Sequence, residues 1–164
     1  MVDTAARRLI AFGVTVDCAI GRGGACAAAA KREGDGCTPR GSFALRAVLL
    51  RPDRAMPAPT ALPWRWLRAD DGWSDDPADP AYNRPVTHTH AWSAEALWRS
   101  DGVYDIIVVI GWNDRPVVPG AGSAIFLHCT RPDFAPTEGC VAVPYAALRS
   151  ILARADGTRR IEIA

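Results

Sequence analysis

The chain has 164 residues, with 19 lysines and arginines against 18 aspartates and glutamates. A domain of this size buries about 70% of the surface its unfolded chain exposes, so one core is expected, and the near-neutral balance excludes a nucleic-acid or anionic-lipid partner drawn in by a long-range field. Its 13 prolines, 14 glycines and six tryptophans show no period, which points to a loop-rich enzyme with a locally recognised substrate. No apolar run reaches the length of a membrane-spanning helix. The five cysteines, Cys18, Cys26, Cys37, Cys129 and Cys140, form no CxxC pair. That argues against a zinc ribbon or finger, and the odd count leaves at least one thiol free or paired with another chain.

In chain order, Arg7 and Arg8 followed by an apolar stretch faintly imitate a secretion signal, but the stretch is short and Asp17 stands where a cleavage site should follow. Residues 9–16 read instead as one strand, with Ile10, Phe12, Val14 and Val16 on one face. Residues 21–41, carrying GRGG and GDGCTPRG, read as a loop. Residues 42–50 alternate as a strand with Phe43, Leu45, Ala47 and Leu49 on one side. Residues 51–101 are rich in Pro, Trp and Asp and too long for a plain connection, which suggests a lid or side-subdomain insertion; a structural cover for one sheet face is the plainer alternative. Within them Ser93 is placed to cap a short helix through Arg99.

Residues 104–110, YDIIVVI, have the near-continuous β-branched character of a central strand covered on both faces. Short strands are expected over residues 123–128 and 140–143. Pro144 suits the start of a helix burying Leu148, Ile151, Leu152 and Ala155, and the terminal RIEIA reads as an edge strand.

The stretch most informative about chemistry is SAIFLHCTRPDFAPTEGCVAVP, residues 123–144. If its two strands are neighbours, His128 meets Cys140. A nearby imidazole is expected to lower the cysteine pKa from about 8.5 and so supply a thiolate. Gly139 removes a side chain where substrate must approach, and main-chain N–H groups over residues 137–140 could receive an oxyanion. Taken alone, a lone Cys and a lone His are more often packing residues.

The segment resembles the active-site signature of the YkuD-type L,D-transpeptidases, a histidine after a strand followed by a Ser/Thr-His-Gly-Cys turn. KREGDGCTPRGSFAL, residues 31–45, resembles the Lys-x-x-Gly-Asp-Gly-x-Thr-Pro-x-Gly-x-Phe run of the same family. DDGWSDDPADPAYNRPV (70–86) and YDIIVVIGWN (104–113) are similar to stretches of its proteobacterial branch, so the likeness covers nearly the whole chain.

The resemblance implies a single catalytic domain over residues 1–164, mainly β, with curved sandwich or barrel-like sheets, one or two short helices and residues 51–101 as a covering insertion. It makes Cys140 the nucleophile, His128 the general base, the Cys129 carbonyl the group orienting His128, and Gly139 the turn and oxyanion region. Thr137 falls where the family has Ser or Thr. Two departures bear on substrate recognition: Glu138 replaces the usual second histidine, and only eight residues separate His128 from Thr137.

Thr137, Glu138, Asn113, Trp112, Tyr82 and Arg84 are candidate substrate contacts, the last four with turn, packing or solvated roles as alternatives. The implied reaction is cofactor-free crosslinking of peptidoglycan stem peptides through a cysteine thioester, open to acylation by carbapenem-type β-lactams and carried out in the cell envelope or periplasm, a location inferred from the substrate only.

Three further readings remain open. Water as acceptor would make the same site an L,D-carboxypeptidase or endopeptidase. His88 and His90, on one face of a strand, could join His128 as a zinc site of a hydrolase. A noncatalytic wall-binding module is the third, against which the retention of His128 and Cys140 argues. Cys129 is either a redox-sensitive thiol or a packing residue.

Overall fold

The computed structural model describes residues 1–57 and 60–164; Ala58 and Pro59, inside the proposed insertion, lie outside the described residues. In chain order the elements are β1 (Val2–Asp3), β2 (Arg8–Ala11), β3 (Val14–Asp17), β4 (Ala25–Ala27), β5 (Thr38–Leu50), β6 (Trp64–Trp66), β7 (Asp71–Ser74), β8 (Pro85–Thr87), β9 (Ala94–Ala96), β10 (Ile106–Ile110), β11 (Phe126–Cys129), β12 (Val141–Val143), α1 (Tyr145–Leu152) and β13 (Arg160–Ile163). The architecture is mainly β: a nearly closed, barrel-like mixed sheet, a small sheet and one short helix. The large sheet runs β12-β11-β10-β5-β13-β1-β2-β3, with β4 and β6 also paired to β5. Ala19, just past β3, bridges back to Ala142 in β12 through two main-chain hydrogen bonds of 2.8 and 2.9 Å, so the two ends of the path meet. Among the described residues no helix is long and apolar enough to cross a membrane.

The YDIIVVI run becomes β10, held between β5 and β11 by antiparallel pairing, and its Ile106, Ile107 and Val108 are fully buried. Ile106 and Val108 face the interior of the barrel with Val48, Leu50, Leu127 and the helix residues Leu148, Ile151 and Leu152. Ile107 faces a second core with Leu49, Phe126, Tyr104, Trp73 and Leu97. The second core is where the small sheet, ordered β8-β7-β9, packs on the barrel, and it contains Cys140.

Several expectations are corrected. Residues 9–16 are not one strand but the hairpin β2–β3, with Ala11 opposite Val14 and Phe12 (φ 52°) and Gly13 (φ 79°) as its turn. Positive φ at both central residues gives the tight turn whose twist matches its strands, and the apolar alternation runs straight through it, which hid the break. In β5 the register slips between its pairings with Val109 and Ile110, leaving Arg46 as an extra residue. That bulge reverses the alternation, so Leu45 shares the barrel interior with Val48 and Leu50 while Leu49 faces the second core.

The stretch expected as a helix from Ser93 holds β9 instead, because pairing with β7 overrides a local preference for helix. The terminal strand β13 is interior, flanked by β5 and parallel to β1, since Val2 adds a further strand beside Ile163. The expected loop over residues 21–41 contains β4 and the start of β5 and is clipped by a Cys26–Cys37 disulfide. The helix after Pro144 ends at Leu152, short of Ala155.

Phe126 is fully buried and meets Trp73 and Tyr104 edge-on, with ring centroids 5.2 and 6.1 Å away. Phe126→Ala is expected to cost about 3–5 kcal/mol, read as a lower denaturant midpoint; a change below about 1 kcal/mol would show that the two sheets do not share this core.

Candidate active site

Strands β11 and β12 run parallel, with His128 opposite Ala142. Cys140 precedes Ala142 by two residues, so the strand period of two turns both side chains to the same face. Both line one cavity of about 450 Å³. The His128 Nδ1 lies 2.9 Å from the Cys129 carbonyl oxygen. As the donor of that bond, Nδ1 carries the ring proton and leaves Nε2 as the acceptor nitrogen. The Tyr104 ring meets the imidazole edge-on, with centroids 5.1 Å apart, and restricts its tilt.

The sulfur is free of disulfide bonding. Its Sγ accepts from the Phe126 N–H at 3.3 Å and lies 3.2 Å from the Ala124 carbonyl, to which the thiol donates. Burial dominates its electrostatics and pushes the Cys140 thiol up to about 12, with the Glu95 charge adding to the rise and the Phe126 N–H and Lys31 opposing it. Burial likewise drives the His128 imidazole down to about 4. Both shifts run against the thiolate expected from the sequence: desolvation outweighs the favourable neighbours and favours a neutral thiol beside a neutral imidazole.

The turn before β12 is shaped from both sides. Thr137 Oγ1 donates to the Cys140 carbonyl at 2.7 Å and accepts the Gly139 N–H at 3.2 Å, while the Thr137 N–H is held by the Ile20 carbonyl. Glu138 and Cys140 are thus the turn residues left to offer N–H groups to a developing oxyanion. Gly139 has φ 136°, and a Cβ there would lie 3.0 Å from the Cys37 carbonyl oxygen and 3.2 Å from Ile125, so the position needs glycine on both counts. Glu138 is exposed and ion-paired with Arg22 at 2.6 Å.

Of the other candidate contacts, Thr137 and Glu138 line the cavity. Asn113 instead braces the following loop, bonding to Val118 and Gly122. Trp112 packs edge-on against Phe43. Arg84 bonds the Asn83 and Asp114 carbonyls, and buried Tyr82 donates to Glu33 behind the cavity wall. Cys129 points into the barrel core as a packing side chain, its thiol pushed up to about 12 by burial.

The three histidines do not gather. His90 Nε2 contacts Asp79 in the small-sheet region, and among the described residues the only cluster with metal-ligand spacing is Cys26, Asp35 and Cys37, two of which are joined as a disulfide. The zinc-site reading is overturned.

A residue that the sequence reading passed over is Asn83, buried and at φ 55°. Its Oδ1 accepts from the Trp73 indole N–H at 2.8 Å and the Ala124 N–H at 3.1 Å, and its Nδ2 donates to the carbonyls of Trp112 and Asn113. Through Ala124 it fixes the carbonyl that holds the Cys140 thiol. The asparagine in AYNRPV signals a turn, and nothing local reveals a partner so distant in sequence.

Asn83→Ala strands several buried partners at once and is expected to cost about 2–4 kcal/mol, with slower alkylation or acylation of Cys140; unchanged stability and thiol reactivity would remove its positioning role. The His128 shift carries a stability consequence. Between about pH 4 and 6.5 the unfolded imidazole binds a proton that the folded one refuses, so stability falls as pH drops through this window, by about 3 kcal/mol in full. Urea unfolding at about pH 7 and pH 4.5 should show a larger loss in the wild type than in His128→Gln; equal losses would contradict the assignment.

Searches of curated proteins and of solved structures return no match. The YkuD family model, described as the L,D-transpeptidase catalytic domain, matches residues 1–163. On that match over almost its full length, the chain belongs to the YkuD family of L,D-transpeptidase catalytic domains.

Proposed function

We propose that the chain is an L,D-transpeptidase that crosslinks peptidoglycan stem peptides through an acyl-enzyme on Cys140. The observation carrying this reading is the placement of Cys140 and His128 on one face of neighbouring parallel strands, inside one cavity and with Nδ1 bonded to the Cys129 carbonyl. Membership of the family supports an enzyme that acts on the cell envelope.

In the proposed reaction the Cys140 sulfur attacks the carbonyl of the L,D-peptide bond of a donor stem while His128 Nε2 takes the thiol proton. Charge develops on the carbonyl oxygen next to the N–H groups of the turn. The imidazolium returns the proton to the departing D-alanine amine, leaving a thioester. An acceptor amine then attacks the thioester, His128 takes its proton, and the thiol is regenerated with the crosslink formed. Because thiol and imidazole start neutral, the proton moves as the carbon–sulfur bond forms, and the bound carbonyl must already be in place.

Residues 51–101 act in this reading as a cover that belongs to the same domain. They bring Trp73 and Leu97 into the core around Cys140 and Asp75, Glu95 and Arg99 to the cavity wall. Their contribution is to keep water from the thioester, which favours transfer over hydrolysis.

Incubation with purified muropeptides, followed by mass spectrometry, is expected to give crosslinked dimers with the wild type and unchanged substrate with Cys140→Ala. Shortened monomers alone would assign the site to hydrolysis, and unchanged material with folded wild type would contradict acyl transfer altogether.

A further inference from the structure

The Thr137–Cys140 turn is cradled by a loop whose own restraint the acyl-transfer steps leave unexplained. The Thr137 N–H donates to the Ile20 carbonyl, the Arg22 N–H donates to the Thr137 carbonyl at 2.8 Å, and the Arg22 guanidinium pairs with Glu138. Residues 36–38 reach the other half of the turn. Thr38, fully buried, donates its hydroxyl to the Cys140 carbonyl at 3.4 Å and accepts the Gly21 N–H at 2.8 Å. The Cys37 carbonyl oxygen fills the space beside Gly139, 3.0 Å from where a Cβ would lie. Each residue of the turn is therefore touched by residues 20–22 or by Cys37 and Thr38.

These two contact points are the ends of one loop that has little packing of its own. Of the described residues 22–35 only Lys31 is buried, and the short helical turn Ala28–Ala30 buries nothing. Strand β4 pairs with the start of β5 only over Ala25 to Ala27 against Thr38 to Arg40. Asp35 accepts the Cys37 N–H at 2.8 Å and pairs with Lys31. The covalent restraint is the Cys26–Cys37 disulfide, which closes the loop at the residue packed on Gly139. Cys37 is buried and Cys26 is partly exposed, so a reagent in solution meets the bridge at Cys26.

We infer that the Cys26–Cys37 disulfide positions the Thr137–Cys140 turn for acyl transfer, so that a dithiol able to reduce it switches the enzyme down. The inference rests on the acyl-transfer reading and names a regulation of that same site. The Glu138 and Cys140 N–H groups stabilise an oxyanion only while their direction is fixed, and the bridge fixes it through Cys37 and Thr38. In the switching step a thiolate of the dithiol attacks the Cys26 sulfur, the bond to the Cys37 sulfur breaks, and Cys37 leaves as a thiolate that takes a proton. The second thiol of the reagent then attacks the reagent sulfur of this mixed disulfide and releases Cys26 as a thiol. Two electrons and two protons pass to the protein, and the dithiol leaves as a disulfide. Cys140 takes no part in the exchange.

The test compares oxidised wild type with the same protein reduced by dithiothreitol and then freed of it, the state of the bridge being checked by intact mass. Acylation of Cys140 by a carbapenem is followed by mass spectrometry. Alkylation of Cys140 by iodoacetamide, which develops no oxyanion, is measured in parallel by peptide mapping. Reduction is expected to slow acylation at least about tenfold, less than outright loss of an oxyanion donor, and to leave alkylation within about twofold. Reoxidation is expected to restore acylation. Cys26→Ser is expected to acylate at the reduced rate with or without dithiothreitol. Thr38→Val, with its disulfide intact, is expected to slow acylation in the same way, and Thr38→Ser to recover it.

Equal acylation of the oxidised and reduced protein, or full acylation of Thr38→Val, would overturn the positioning role while leaving acyl transfer standing. Acylation and alkylation changing together would also overturn it, because that pattern belongs to a crosslink that only stabilises the fold. No acylation of the oxidised protein, by a carbapenem or by a donor stem peptide, would overturn the underlying reading and this inference with it.

Discussion

The parallel pairing of β11 with β12 is the constraint on which the site depends. Parallel neighbours cannot be joined by a tight turn, so the chain must leave β11, cross over and re-enter beside it. Residues 130–140 make that crossing and end in the Thr137–Cys140 turn. Once Leu127, His128 and Cys129 face Val141, Ala142 and Val143, the positions of the imidazole and the sulfur follow from strand geometry alone. A slip of one residue in this register would send Cys140 into the barrel interior, where Cys129 already packs.

Placing the pair in a strand-bound pocket has an electrostatic consequence. The second core surrounds Cys140 with Phe126, Tyr104, Trp73 and Leu97, and such surroundings disfavour both a thiolate and an imidazolium. The proposed chemistry therefore does not begin from an ion pair. Its activation lies in orientation: the Cys129 carbonyl selects the tautomer that leaves Nε2 free to accept, and the Ala124 carbonyl and Phe126 N–H hold the sulfur. Asn83 ties residues 51–101 to Ala124, whose carbonyl accepts from the Cys140 thiol.

The parts of the fold that were legible in the sequence are those where composition alone decides. The YDIIVVI run had to be buried on both faces, whereas the pairing of His128 with Cys140 rested on the resemblance to the family signature, a lone Cys and a lone His being more often packing residues. What stayed hidden depends on geometry that period-two patterns do not encode. A two-residue turn at Phe12 and Gly13 leaves the alternation intact, a bulge at Arg46 reverses it without a visible mark, and Ala94–Ala96 joins a sheet only because β7 lies alongside. The same holds at the site. The expected nearness of His128 suggested that an imidazole would lower the thiol pKa, whereas the opposite shift comes from burial in a core that Trp73, Tyr104 and Leu97, far away in sequence, help to build.

The claim most exposed to measurement is that the Cys140 proton stays on sulfur until a carbonyl arrives. The thiolate ultraviolet absorbance of the wild type, taken as a difference from Cys140→Ser and followed from about pH 5 to 10, tests it directly. The account predicts no appreciable Cys140 thiolate signal anywhere in that range. A full thiolate signal already present below about pH 7 would contradict it and restore an ion pair as the resting state.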